Sequence, residues 1–123
     1  MARVLVMDDE EDLRRVLVRA LEGAGHEAYE AGNGADGLHE IKTRAVDLVV
    51  TDVVMPEMDG LEFMRELGRL RPGMRVIAIS GGGVWDKNSL LTVAGMLGAV
   101  KTLSKPFELD KFLKLVSEVL AAS

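Results

Sequence analysis

The sequence contains no cysteine among its 123 residues. This absence excludes disulfide bonds, thiolate metal sites and thiol catalysis, and it fits a reducing cytoplasmic setting. The chain also lacks any apolar run near the ~20 residues that a membrane-spanning helix requires. Its first residues lead directly into a strand-like run, so we expect no signal peptide, no membrane association and a cytoplasmic location.

An excess of basic residues is missing as well. The 15 Lys and Arg are outnumbered by 20 Asp and Glu, and the formal net charge is −5. Because binding to a phosphate backbone needs clustered Lys and Arg, this balance argues against a nucleic-acid surface. Proteins are the more plausible partners.

The length favours a single domain, because 123 residues are too few for two domains of ordinary size. The chain shows no linker, charge block or low-complexity stretch. We therefore expect residues 1–123 to form one domain without a separate output domain.

Short apolar runs alternate with longer runs of helical period along the whole chain. The predicted strands are Arg3–Met7, Glu27–Ala31, Leu48–Thr51, Arg75–Ser80 and Lys101–Ser104. The first, third and fourth are nearly continuous in Val, Ile, Leu and Met, as is typical of strands covered by helices on both faces. The predicted helices cover residues 13–24, Ala35–Thr43, Leu61–Leu70, Ser89–Leu97 and Glu108–Ala121.

Five repeats of strand and helix predict an α/β fold with a doubly wound, five-stranded parallel sheet and five helices. Right-handed crossovers leave few topologies, and the flavodoxin-like strand order 2-1-3-4-5 is the commonest for five strands. In that order the first and third strands are neighbours. They flank the point at which the strand order reverses, where ligands bind in such sheets.

Charged residues follow three of the predicted strands. Asp8 and Asp9 come after the first strand, Asp52 after the third, and Lys105 after the fifth. Because the carboxyl ends of parallel strands meet at one edge of a sheet, we expect these four side chains to gather there. Neighbouring carboxylates repel one another unless a cation lies among them. The pattern predicts a hard-metal site beside a nucleophile.

These residues form part of a set of motifs that resembles the receiver domains of bacterial two-component response regulators. The matching segments run through essentially the whole chain: Val4–Glu10, Asp47–Pro56 with Asp59-Gly60, Ile77–Ser80, Leu97–Ala99 and Lys105–Phe107. Each motif alone is weak, whereas five in this order at strand ends are specific.

The resemblance implies a role for each residue near the sheet edge. Asp52 would be the phosphoacceptor, since a carboxylate is a competent nucleophile towards phosphorus. Asp8 and Asp9 would hold Mg²⁺ together with Asp52 and the main-chain carbonyl of Val54. Lys105 would pair with the Asp52 carboxylate and then with the phosphoryl group.

Further implications concern the surroundings of the site. The Ser80 hydroxyl would donate to a phosphoryl oxygen and pull the following loop inward, and Lys105-Pro106 is a candidate cis peptide. The donor would be phosphohistidine on a histidine kinase or a histidine phosphotransfer protein, because neither His26 nor His39 is a credible internal donor. The protein would catalyse only its own phosphorylation and dephosphorylation, so we do not expect an enzyme.

Glu10 and Glu11 have two interpretations. They can serve as extra metal ligands, or they can stabilise the N-terminus of the first helix through the helix dipole, and we favour the second.

The chain departs from the family pattern in several places. Thr102 replaces the aromatic residue that receivers carry three positions before the lysine, so the usual aromatic switch is missing. Thr102 can turn inward with Ser80 and act as the switch. Alternatively, a partner recognises the surface formed by the fourth and fifth predicted helices and the fifth strand without any switch. The glycine-rich segment 81–88, which contains Trp85, is longer than typical. Apolar Val54 and Gly82 replace polar residues that position water, which predicts a long-lived phosphoryl group.

Three other functions compete with the receiver. A degenerate receiver would act only as a phosphorylation-independent interaction module; Thr102 favours this reading and the intact acids oppose it. A phosphatase of the haloacid-dehalogenase type would need an Asp-x-Asp motif, which Asp8-Asp9-Glu10 does not supply. A flavodoxin would need a Ser/Thr/Gly-rich first loop instead of an acidic one.

Overall fold

The structure, a computed structural model, describes residues 2–52, 60–81 and 100–122. Its sheet contains the five predicted strands: β1 (Arg3–Met7), β2 (Glu27–Ala31), β3 (Leu48–Asp52), β4 (Arg75–Gly81) and β5 (Val100–Lys105). They pair in the order β2-β1-β3-β4-β5, and every pair is parallel. The predicted fold class and strand order are confirmed.

Three strands are one residue longer at their carboxyl ends than the sequence pattern indicates. β3 ends at Asp52, which is in register with Ile79, and β5 ends at Lys105, which is in register with Gly81. Sheet pairing therefore fixes the backbone of both charged residues. The sequence pattern ended these strands earlier because it follows apolar side chains, whereas strand pairing depends on the backbone alone.

Four helices lie in the described part of the chain, against five expected. They are α1 (Glu11–Gly23), α2 (Gly34–Thr43), α3 (Gly60–Leu70) and α4 (Leu109–Ala121). The fourth predicted helix, at residues 89–97, lies outside the described residues, and the other four predicted helices are observed. Among the helices that are described, none has the length and apolar character needed to cross a membrane.

Two apolar cores cover the two faces of the sheet, because successive side chains of a strand point to opposite sides. On one face Leu5 and Met7 pack with residues of α2 and α3 such as Ile41 and Phe63. On the other face Val4 packs with residues of α1 and α4. The central strands are buried on both sides, as their continuous apolar sequences predict.

One close approach positions α2 against β1. A Cβ atom added to Gly37 would collide with Met7 Sδ and would lie 3.1 Å from a ring carbon of Phe63. Glycine at this position lets α2 approach the last residue of β1, which directly precedes Asp8. The core thus fixes β1 up to the residue that enters the site.

Candidate functional site

The carboxyl edge of the sheet brings Asp8, Asp52 and Lys105 together. Asp52 is the last residue of β3 and Asp8 follows β1, and both are buried. Lys105 extends from the end of β5, and its Nζ lies 2.9 Å from Asp52 Oδ2 and 3.6 Å from Asp8 Oδ2. The peptide bond from Lys105 to Pro106 is cis, as expected.

Asp8 is held on several sides. Its backbone N–H donates to the Ala31 carbonyl at 3.2 Å, and its Oδ1 accepts from the Glu10 N–H at 2.9 Å. Its Oδ2 is buried and accepts no hydrogen bond from the described residues. Burial raises the pKa of Asp8 from 3.8 to about 6; the Glu10 N–H opposes this shift and the Asp52 charge adds to it. The buried carboxylate is therefore costly and lacks a full set of partners.

Lys105 contacts three carboxylates, two from the turn between β1 and α1 and one from the end of β3. Besides Asp8 and Asp52, its Nζ lies 3.0 Å from Glu10 Oε1. Burial alone lowers the pKa of Lys105, but hydrogen bonds to Asp52 and Glu10 and the charges of the nearby acids outweigh it and raise the pKa. The ammonium group therefore stays charged at neutral pH and remains a fixed positive charge beside Asp52.

The membership of the acidic group differs from the sequence expectation. Carboxylate oxygens of Asp8, Glu10 and Asp52 lie within 4.8 Å of one another, whereas Asp9 is exposed and is not part of this group. Glu10 is the N-cap residue of α1, yet its side chain makes no capping hydrogen bond. Its carboxylate contacts Lys105, an interaction that the dipole interpretation does not include.

A weak sequence signal for Glu10 did exist. Glutamate is a poor N-cap because Ser, Thr, Asp and Asn reach the free N–H groups of the first turn better. A glutamate at this position without a capping role therefore has its carboxylate available for another partner. Glu11, by contrast, pairs with Arg15 one turn later on the surface of α1.

The donor set fits a divalent cation. Three carboxylates carry three negative charges, and Lys105 neutralises only one of them. Asp8 Oδ2, which accepts no hydrogen bond from the described part of the chain, is buried in this group, and carboxylate oxygens are the ligands that Mg²⁺ prefers. The remaining expected ligand, the carbonyl of Val54, lies outside the described residues.

The other predicted site residues are only partly described. Ser80 is in β4, in register with Ser104 of β5, and its side chain falls outside the description. Thr102 is in register with Ala78 and is exposed, so it is not turned inward in this structure. Residues 82–88, including Trp85, lie outside the described residues.

Comparison with known proteins decides the family. Residues 4–117 match the family described as the response regulator receiver domain. The chain belongs to this family. The receiver domain is 34% identical over 123 residues to the response regulator receiver protein CpdR from Brucella abortus, with both chains fully covered.

Other relatives differ in length. The crystal structure of the NtrX receiver domain from Brucella abortus has 30% identity and a TM-score of 0.85, covering 98% of this receiver domain and 99% of that chain. The DNA-binding transcriptional regulator NtrC from Azospirillum brasilense is 36% identical over 121 residues, and this receiver domain spans only 24% of it.

Family membership carries general properties over to this chain. Receiver domains are signalling modules of two-component systems, and they interact with histidine kinases or phosphotransfer proteins. They bind Mg²⁺ at an acidic pocket. Family membership also supports a phosphoacceptor role for this chain. The degenerate, phosphorylation-independent alternative is not favoured.

Proposed function

We propose that this receiver domain accepts a phosphoryl group on Asp52 from the phosphohistidine of a histidine kinase or phosphotransfer protein. The observation that carries the proposal is the 2.9 Å contact between Lys105 Nζ and Asp52 Oδ2 next to Asp8. At the carboxyl edge of the parallel sheet, a nucleophilic carboxylate is thus paired with a permanent positive charge. The domain then signals through protein contacts or passes the group onward.

The transfer step follows from the chemistry of these groups. An Asp52 carboxylate oxygen forms a bond to phosphorus while the bond between phosphorus and the donor imidazole nitrogen breaks, and the imidazole takes up a proton. As the phosphoryl group arrives, Lys105 shifts its ammonium from Asp52 Oδ2 to a phosphoryl oxygen. It keeps its proton throughout, since its pKa is raised.

Mg²⁺ is the cofactor we propose. Bound to Asp8, Asp52 and the Val54 carbonyl, it would neutralise the negative charge on the phosphoryl oxygens during transfer. We retain Asp9 as a candidate ligand, and we add Glu10 because its carboxylate lies within the acidic group. Ser80 and Thr102 stay proposed as the switch residues.

A groove beside the site is a candidate docking surface for the phosphodonor. It has a volume of about 330 Å³ and is lined by residues of α1, by Lys105 at the end of β5 and by residues that follow β5. Its apolar side chains include Val16 and Leu109, which are 44% and 39% exposed. Exposed apolar patches rimmed by charge mark protein contacts, and this one lies next to the proposed phosphoacceptor site.

Two expectations about domain organisation and location belong to the same proposal. We propose that residues 1–123 act as one domain whose only chemistry is its own phosphorylation and dephosphorylation. A cytoplasmic location is compatible with the absence of cysteine.

Replacing Asp52 tests the proposal directly. Asp52→Asn keeps the shape and removes the nucleophile, so incubation with Mg²⁺ and radiolabelled acetyl phosphate should label the wild-type chain and leave the variant unlabelled. Asp47→Asn, an exposed aspartate at the opposite end of β3, is the matched control and should label normally. Retained labelling of Asp52→Asn would place the acceptor elsewhere.

A further inference from the structure

Arg14 connects two segments that border the acidic site. Its side chain is 17% exposed, and its Nε lies 2.9 Å from Glu30 Oε1 on β2. Its Nη1 donates to the carbonyl oxygen of Asp8 at 2.9 Å. One guanidinium thus joins β2 to the turn between β1 and α1.

The space for this contact is provided by a glycine. A Cβ atom added to Gly32 would lie 3.3 Å from Arg14 Nη1, which is tighter than an ordinary contact. Gly32 follows directly after Ala31, whose carbonyl accepts the Asp8 N–H. The end of β2 therefore contacts the Asp8 main chain once directly and once through Arg14.

Three of the four polar atoms of Asp8 make hydrogen bonds within the described residues, and the fourth, Oδ2, has only the 3.6 Å ion-pair contact with Lys105. Ala31 holds the N–H, Arg14 holds the carbonyl and the Glu10 N–H holds Oδ1. Only Oδ2 accepts no hydrogen bond from the described residues, and it lies in the acidic group with Glu10 and Asp52. The direction of Oδ2 is consequently set by contacts at the other polar atoms of the residue.

We propose that Arg14, anchored by Glu30, is a positioning residue that aims the Asp8 carboxylate into the metal site. The inference rests on the proposed function and extends it to a residue that touches neither metal nor phosphoryl group. Without Arg14 the Asp8 carbonyl loses its partner, and the peptide after Asp8 is free to rotate and carry the carboxylate with it. Loss of partners behind metal ligands typically weakens metal binding by about 10- to 100-fold.

A simpler reading makes Arg14 and Glu30 a surface ion pair. Such a pair changes stability by about 1 kcal/mol or less and has no specific effect on metal affinity. The two readings therefore differ in Mg²⁺ affinity and not in stability.

Calorimetric titration of the full chain with Mg²⁺ separates them. Arg14→Ala should raise the Mg²⁺ Kd about tenfold. Arg14→Lys should give an intermediate value, because one ammonium group cannot contact both the Asp8 carbonyl and Glu30 as the planar guanidinium does. Arg15→Ala is the matched control: it removes the same charge from the next residue of α1 and should leave the Kd within about twofold.

A second readout is the Mg²⁺ dependence of labelling by acetyl phosphate. In Arg14→Ala the Mg²⁺ concentration for half-maximal rate should rise with the Kd, while the maximal rate at saturating Mg²⁺ stays near that of the wild type. A merely structural role would not produce this split. If Arg14→Ala does not fold, Arg14→Lys and Glu30→Ala replace it, and both should raise the Kd.

Several results would overturn the inference. They are an unchanged Kd in the folded Arg14 and Glu30 variants, an equal loss in Arg15→Ala, or a reduced maximal rate with unchanged half-saturation. A wild-type chain that takes up no Mg²⁺ and labels at a residue other than Asp52 would refute the proposed function, and this inference with it.

Discussion

Replacing the buried acid should make the metal-free protein more stable. In Asp8→Asn the side chain keeps its shape, and its amide oxygen can still accept the Glu10 N–H that now donates to Oδ1 at 2.9 Å. The negative charge, whose burial raises the pKa of Asp8 from 3.8 to about 6, disappears. The charge of Asp8 thus serves the proposed metal site and lowers the stability of the metal-free fold.

The magnitude follows from the pKa shift. A rise of about two units corresponds to roughly 3 kcal/mol by which ionisation of Asp8 disfavours the folded state at neutral pH. This shift already includes the attraction of Lys105, whose Nζ lies 3.6 Å from Asp8 Oδ2. Burying the uncharged amide of Asn still costs about 1–2 kcal/mol. We therefore expect a net gain of about 1–2 kcal/mol in the free energy of unfolding, well above the ~0.5 kcal/mol typical of surface substitutions.

The pH dependence has a definite sign. Because the pKa of Asp8 is higher in the folded state, the folded chain binds more protons than the unfolded chain between about pH 4 and 6. Stability due to this group is complete below pH 3.8 and is lost as the pH rises through about 6. The advantage of Asp8→Asn should therefore be full at pH 7.5 and shrink as the pH falls towards 4.

Urea unfolding at pH 7.5 and pH 4.5, with and without Mg²⁺, provides the assay. Mg²⁺ at ten times its Kd should stabilise the wild type by about 1.4 kcal/mol and Asp8→Asn far less. Asp9→Asn, the exposed neighbour, is the control and should change stability little. Equal or lower stability of metal-free Asp8→Asn at pH 7.5 would refute the reasoning, as would an advantage that does not depend on pH.

Two further predictions concern packing and docking. Gly37→Ala should lower the free energy of unfolding by about 1–3 kcal/mol in thermal or urea unfolding, because the added Cβ collides with buried Met7 Sδ. The control is Gly23→Ala, which has no atom within 4 Å of the added Cβ and should not destabilise the fold. Equal effects of the two substitutions would contradict the packing argument. Val16→Asp in the groove beside Lys105 should slow phosphoryl transfer from a cognate histidine kinase while labelling by acetyl phosphate stays unchanged, and parallel loss of both would remove the groove as a docking surface.

Much of the fold was predictable because its determinants are local. The apolar runs of β1, β3 and β4 are nearly continuous and the apolar stripes of α1 and α4 are periodic, and both patterns are recognised over short stretches without knowledge of their partners. Asp52 and Lys105 could be placed at one edge of the sheet from local patterns as well, since each ends a strand of a parallel sheet. Helix ends were predicted to within a few residues because glycine and proline follow several of them.

Which carboxylates form the acidic group was harder to predict from the sequence. The sequence places Asp8, Asp9 and Glu10 in succession, and nothing local distinguishes which side chains face the sheet edge. That choice depends on the direction in which the chain leaves β1 and enters α1. In the structure Asp8 points inward, Asp9 is exposed and Glu10 turns back to Lys105.

The amino-acid sequence by itself determined the order of strands and helices, the edge of the sheet that carries charge, and the family. These properties follow from the spacing of neighbouring residues. Only the tertiary structure decided that Glu10 joins the site and that Arg14 reaches Asp8 and Glu30. Such contacts join residues brought together by packing across strands, and the strength of each depends on distances and burial that exist only in the folded chain.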